Sequence, residues 1–432
     1  VIDTAKRSLA ATELQSRCTS CGRSYPAIER ACPECPGALL RADYPAERFE
    51  PRDDRGIFRY LDWLPPARGV DTAIGPTAYR AERLAQAVGI NDLTVGFNGY
   101  APELGAHNPT GSFKDFEALP TLLFLREHGV GSIVLASAGS TARAFACAGV
   151  RLGFRIHIIV PEQNLHRLWL PIEPTDDIRL TVIEGSRDYF KAIELSELVV
   201  REFGLVGEGG ARNIARRDGM GTSLLEHARV RRALPRHYFQ AVGSGTGGVA
   251  AWEASERLLR DGRFGDRPPV LNLAQNAPYT PIHDAWTHGR PIRPSHDVGD
   301  QLARIDRIDA EMLANRNPPF ANPGGVRDAL EATRGRTYAV SNREAREAAA
   351  MFLRTEGAPI GPAPAVALGA LMQAVGDGRV KPHEPVMLNV TGNGDMLVRR
   401  DFSLRSIEPS LRVPPERVTP EHVASLAPHF AD

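Results

Sequence analysis

Three absences narrow the field before any motif is read. No sign of charge prevails, since 52 basic side chains meet 52 acidic ones in 432 residues, and a balanced total gives no net field for nucleic acid or an anionic membrane. No apolar run reaches the roughly 18 residues that a membrane helix needs, and the start shows no basic stretch leading into an apolar one. A soluble, cytoplasmic protein with neither nucleic-acid nor membrane partners is the expectation. Repeats and long low-complexity tracts are missing too. Cysteine is sparse, at five residues, and a cytosolic setting disfavours disulfides between them. The length allows a large core in two or three domains.

Four of the five cysteines cluster as Cys18-x-x-Cys21 and Cys32-x-x-Cys35, the spacing of a short zinc ribbon. Each pair sits on a turn able to aim two thiolates at one ion, and four thiolates would saturate a tetrahedral Zn²⁺. A saturated ion has no open position for catalysis, so the zinc expected here is structural. A metal-free relic and a disulfide pair are the alternatives. Cys147 falls on the apolar face of a helix and reads as a buried small residue.

Residues 1–65 form this ribbon-like segment and an arm rich in Pro, Arg and Asp. Beyond them helical stretches alternate with apolar runs at 93–97, 133–136, 156–160, 180–183, 238–242, 270–274 and 386–390. Such alternation predicts an α/β fold of parallel sheets with helices on both faces. The runs between 133 and 183 lie close enough in sequence to make a smaller sheet of their own. The stretch 276–330, thin in apolar residues, reads as long loops and short helices.

Four turns carry the chemistry. Asn108-Pro109-Thr110-Gly111-Ser112-Phe113-Lys114-Asp115 places one lysine at the mouth of a helix, and a lysine attacks a carbonyl only as the free amine, which requires a site that lowers its pKa. Ser137-Ala138-Gly139-Ser140-Thr141 joins a strand to a helix, where unpaired N–H groups and the helix dipole favour an anion. Gly243-Ser244-Gly245-Thr246-Gly247-Gly248 does the same. Gly243, Gly245 and Gly248 also meet the spacing of dinucleotide binders, but the following strand-like run leads into Gln275, not the acid that would hold a ribose. The run 386–390 leads into Thr391-Gly392-Asn393-Gly394.

In this order the four turns resemble the threonine synthase family of fold-type II pyridoxal phosphate (PLP) enzymes, whose fold is tryptophan synthase β-like. The resemblance implies two parallel-sheet α/β domains, a large one at 66–104 and 206–432 and a small movable one at 105–205, besides the N-terminal ribbon. It implies that Lys114 carries PLP and acts as the catalytic base, that Ser244, Gly245, Thr246, Gly247 and Gly248 cradle the PLP phosphate, and that Thr391 faces the pyridine nitrogen. Ser140 stands where most threonine synthases carry Asn against the ring 3-hydroxyl. Ser137, Ala138, Gly139 and Thr141 would hold the substrate carboxylate, and Arg143 the substrate's other anionic group. The Arg-containing stretch 208–222 resembles a Gly-punctuated loop near the substrate, one of whose arginines would face the pocket. A homodimer is the family expectation.

Phe113-Lys114-Asp115-Phe116-Glu117 lacks the arginine that commonly follows Lys-Asp in threonine synthases. Together with Phe97-Asn98-Gly99-Tyr100 and Arg216-Arg217-Asp218-Gly219-Met220-Gly221-Thr222, it is more similar to the branch that makes L-cysteate and phosphate from O-phospho-L-serine and sulfite. The implied reaction is a β-replacement on a phosphorylated amino acid. The alternatives are another small nucleophile in place of sulfite, a threonine synthase acting on O-phosphohomoserine, or a non-enzymatic interaction protein on the same scaffold.

Overall fold

Apolar runs that do not alternate with polar residues belong in strands covered on both faces, and here each of the seven does form a buried strand. The computed structural model describes residues 3–6, 10–137, 139–185, 189–292 and 298–430. A six-stranded sheet has the order Arg336–Val340, Val270–Asn276, His237–Ala241, Val386–Val390, Leu93–Phe97 and Ala78–Arg80. The first five are parallel, and the last closes the edge antiparallel. Helices Asn342–Glu356 and Pro362–Gly376 pack on one face, while Ile214–Arg231 and Thr246–Asp261 pack on the other.

The second sheet, wholly parallel, has the order Val206–Gly207, Ser132–Ala136, Arg155–Pro161, Ile178–Ile183 and Pro409–Val413. The expected division gave 206–432 entirely to the large domain. Pro409–Val413 instead pairs with Ile178–Ile183, and Val413, Val418, Val423 and Phe430 fill an apolar cluster with Val134, Ile159 and Ile183. The strand's alternating burial left no continuous apolar run to announce it.

The stretch 208–222 is also not a loop for most of its length. Asn213 caps a helix, Ile214–Arg231, by accepting the Arg216 N–H at 3.1 Å. Its glycines are there for packing. Pro120 brings no N–H to the Phe116 carbonyl, and that carbonyl faces Gly219 so closely that a methyl would not fit; Gly221 lies against the Ala250 carbonyl, where a Cβ would stand at a tight 3.2 Å. Met220, between them, reaches the lysine side chain at 4.0 Å.

Strands Ser24–Pro26, Gln15–Cys18 and Leu40–Asp43 make the antiparallel ribbon. It is tied to the large sheet's helices. Leu39 N–H and the Thr19 hydroxyl both donate to the Pro323 carbonyl at 2.9 Å. Arg217, with no exposed side-chain surface, pairs with Glu253 at 3.0 Å, and Arg41 of the ribbon reaches the same carboxylate at 3.2 Å while lying over Trp252.

A buried ion pair that loses one partner leaves an uncompensated charge. Glu253→Ala is therefore expected to cost about 3–5 kcal/mol, read as a lowered denaturation midpoint. Replacing Arg217 and Glu253 together by apolar residues should recover much of that loss, and equal losses in the single and double variants would refute the pairing argument.

Candidate active site

In a parallel sheet, ligands gather at the carboxyl ends of the strands, and the sheet order here puts two of the four turns, and the loop that leads to a third, side by side. Val386–Val390 lies between His237–Ala241 and Leu93–Phe97, so the loops starting at 391, 243 and 98 leave one edge together. They are then stitched to the lysine turn. Ser112 and Gly392 form a β-bridge, Phe113 N–H donates to the Thr391 carbonyl at 3.0 Å, and Asn393 N–H donates to the Gly111 carbonyl at 3.0 Å. Asn393 also exchanges side-chain hydrogen bonds with the Tyr100 backbone, at 2.8 and 2.6 Å. Thr110 holds the turn by donating its N–H and its hydroxyl to Asp115, at 3.1 and 2.9 Å.

Lys114 caps helix Asp115–Glu127. Its amine stands 3.4 Å from the Glu117 carboxylate, 4.0 Å from the Met220 sulfur and over the Phe113 ring. Burial lowers its pKa; Glu117 and Glu208 oppose that, and the Arg216 cation adds to it. The net direction is toward the free amine. Glu117 is fully buried, accepts from the Thr141 hydroxyl at 3.0 Å and forms an ion pair with Arg216, whose Nε stands 2.9 Å away. Arg216 Nη1 goes on to Glu208 at 2.7 Å. Burial alone would raise Glu208, yet the Arg216 guanidinium and the Gly210 N–H hold it below its ordinary value.

Of the arginines at 212, 216 and 217, Arg216 is the one facing the lysine; Arg217 is spent on Glu253 and Arg212 on the Pro36 carbonyl. Glu117 and Glu208 were not picked out from sequence. A signal existed, because the chain has only four lysines, Lys6, Lys114, Lys191 and Lys381, among its 52 basic residues, and a lysine in a buried turn draws attention to acids one helical turn away.

The serine turn opens helix Ser140–Leu152. Ser137 Oγ accepts from the N–H of Gly139 and of Ala142, at 3.4 and 3.3 Å; Ala138 lies outside the described residues. Arg143, 9% exposed, donates to Ser140 Oγ at 3.0 Å and to the Arg167 carbonyl at 2.8 Å, and lies over Trp169. Its Nε is buried with no hydrogen-bond partner among the described residues. Thr141, through Glu117, joins this turn to the lysine.

The loop residues suit a phosphate. Gly245, at φ +80°, has Val326 packed where a Cβ would go, and it leads into the 16-residue helix Thr246–Asp261, whose positive dipole end favours an anion and whose Thr246 N–H is held locally by Ser244 Oγ at 3.3 Å. Ser244 and Thr246 share a hydrogen bond of 2.8 Å. The Thr391 hydroxyl, in a residue 7% exposed, donates to no group among the described residues. An amine inclined to lose its proton, an anion-binding loop and an uncommitted hydroxyl are the groups PLP requires.

In the ribbon, the sulfurs of Cys18, Cys21, Cys32 and Cys35 all lie within 4.8 Å of one another, with Cys21 and Cys32 at 3.7 Å. Bonds of about 2.3 Å to a tetrahedral ion put sulfurs about 3.8 Å apart, whereas a disulfide would need about 2.05 Å. The four thiols are placed to hold one metal ion. Cys147 is buried, as expected.

The family described as pyridoxal-phosphate dependent enzyme matches residues 70–392. The chain is similar to the cysteate synthase of Methanocella paludicola, 45% identical over 408 residues covering 94% of this chain and 95% of that protein. It is also similar to the cysteate synthase of Methanosarcina acetivorans, 46% identical over 398 residues covering 92% and 96%. Among solved structures, maize serine racemase aligns over 74% of this chain and 88% of its own at TM-score 0.56 and 14% identity. The tomato (Solanum lycopersicum) threonine deaminase isoform 2 aligns over 75% and 86% at 0.55 and 16%. These two likenesses show the fold alone.

Glu117→Gln removes an anion beside two cations, so Lys114 should lose its proton more readily. The midpoint pH for acylation of Lys114, followed by mass spectrometry on cofactor-free protein, is expected to fall by about one unit. A midpoint that stays or rises would show that Glu117 does not set the lysine's charge.

Proposed function

From the premise that this chain belongs to the cysteate synthases, within the pyridoxal-phosphate-dependent enzyme family, we propose that it converts O-phospho-L-serine and sulfite to L-cysteate and phosphate. One observation carries this reading: Lys114, the 243–248 loop and the Thr391 loop meet at one sheet edge in a chain 45% identical to a cysteate synthase along 94% of its length.

In this reading Lys114 carries the cofactor. Loop 243–248 takes its phosphate, Thr391 its ring nitrogen and Ser140 its 3-hydroxyl. Bound PLP supplies an electron sink for the charge left when the substrate's α-proton departs. Lys114 takes that proton as the free amine and returns it to the same carbon at the end. Between these steps the Cβ–O bond to phosphate breaks and a Cβ–S bond to sulfite forms. Ser137, Gly139 and Thr141, with Ala138, hold the substrate carboxylate. Arg143 faces the β-substituent, and its unpaired Nε is the donor left for an anion. Sulfite and phosphate are similar in size and charge, so one anion pocket serves both the leaving and the entering group.

The unit built on the smaller sheet closes over the substrate to exclude water. The ribbon's ion is zinc, and the protein is a homodimer in the cytoplasm. No helix among the described residues is long and apolar enough to cross a membrane.

The deciding assay incubates enzyme and PLP with O-phosphoserine, with and without sulfite, beside O-phosphohomoserine. Cysteate formed only when sulfite is present is the expected result. Threonine from phosphohomoserine would overturn the proposal, and another nucleophile used in preference to sulfite would replace its second substrate. Lys114→Ala should lose turnover and the cofactor's visible absorbance together.

Metal analysis is expected to find about one zinc per chain. Cys18→Ser should lose it. A wild-type protein free of zinc as purified would leave the four thiols without this ion.

A further inference from the structure

The ribbon and the active lysine are joined by a row of alternating charges. Arg30 lies on the ribbon two residues before Cys32. Its guanidinium donates to the Gly207 carbonyl and lies so close to Gly209 that a methyl there would run into it. These two glycines flank Glu208. Gly209 has a φ of +92°, so the residue is glycine for its backbone as well as for the arginine. Glu208 is held from its other sides by its N–H to the Val134 carbonyl at 2.8 Å, by the Gly210 N–H to its carboxylate at 3.1 Å and by Arg216 at 2.7 Å. Arg216 continues to Glu117, and Glu117 to Lys114.

We propose that Arg30 is a positioning residue for the active lysine, acting through Glu208 and Arg216 on the placement of Glu117 against the Lys114 amine, so that the metal-holding ribbon takes part in control of the reaction. The proposal rests on the reading of Lys114 as the cofactor lysine. It does not concern attachment of the ribbon, which other bonds secure: Leu39 and Thr19 to Pro323, Arg41 to Glu253 and Arg212 to Pro36.

The direction of the effect follows from the row. Charged groups facing Lys114 are Glu117 on its own helix, Arg216 on the long helix and Glu208 beyond it. Without Arg30, Glu208 draws Arg216 toward itself and away from Glu117. Both carboxylates then act on the lysine with less compensation, and its ammonium form gains. Without Glu208, Arg216 belongs wholly to Glu117 and the ammonium form loses. The two changes have opposite signs.

The test uses the full chain stripped of cofactor, in which Lys114 acylation is followed against pH by mass spectrometry, with exposed Lys381 as the internal reference. Arg30→Gln should raise the Lys114 midpoint by on the order of half a unit while metal content stays at the wild-type level. Glu208→Gln should lower it. The double variant should match Glu208→Gln, because Arg30 then has nothing to act through, and Arg30→Lys should return part of the way. In the holoenzyme, the acid limb of the kcat profile should move with the same signs.

Stripping the metal from wild type should move the midpoint in the direction of Arg30→Gln. A wild-type midpoint in Arg30→Gln with metal retained overturns the proposal, as does a double variant that shows the plain sum of the single shifts. If Arg30→Gln fails to fold, Arg30→Lys and Glu208→Gln carry the test, and an unmoved midpoint in both overturns it equally. A wild-type protein that binds no cofactor would instead sink the reading of Lys114 as the cofactor lysine, and the labelling midpoints would still decide whether Arg30 acts on its amine.

Discussion

A carboxylate with no access to water is tolerated only when its charge and its lone pairs are met inside the protein, and at Glu117 that condition organises the site. Lys114 meets it from the same helical turn, Arg216 from the long helix and Thr141 from the serine turn. Three elements distant in sequence are thereby fixed by one side chain. The carboxylate also lies in the first turn of its helix, where the backbone dipole favours negative charge. The Lys114 amine thus stands beside an anion that favours its charged form and a cation that opposes it. Arg216, which opposes it, is itself shared between Glu117 and Glu208.

Legibility in the sequence followed the range of the interaction responsible. Leu93–Phe97 and Val386–Val390 were legible to the residue because strands buried on both faces write an unbroken apolar run. The lysine turn, the 243–248 loop and the Thr391 turn were legible because each is a local device of glycine and hydroxyl residues between a strand and a helix. Glu117 offered only its place one helical turn from the lysine, and the choice of Arg216 offered nothing, since its pair with Glu117 joins residues about a hundred positions apart and leaves no local pattern. Gly219 and Gly221 were misread for a related reason. Glycine that permits close helix contact looks, in a string of letters, like glycine that permits a turn.

The four-cysteine segment was recognised as a unit, and its chemistry as a metal ligand set, from spacing alone. Its integration was invisible. Arg17 and Asp43 pair across the ribbon's own sheet, but Arg30, Leu39, Thr19 and Arg41 all reach outward to partners on the rest of the chain. A small ribbon without the area for a core of its own gains one by docking: Cys18, Cys32, Ala38 and Leu40 pack with Ile214, the first residue of the helix that carries Arg216.

The smaller sheet has a property of another kind. Its strand Ile178–Ile183 is completed only by Pro409–Val413, a segment that a ribosome makes long after the other four strands. Until then a nascent chain carries an open edge of Leu180, Val182 and Ile183, with a row of unmatched backbone donors and acceptors of the kind that recruits strands from other molecules. The same late segment brings Val418, Val423 and Phe430 to the apolar surface beside it. Synthesis therefore passes through a period in which the large sheet has most of its strands while the smaller one remains adhesive, and a message truncated before residue 409 would leave that edge permanently uncovered.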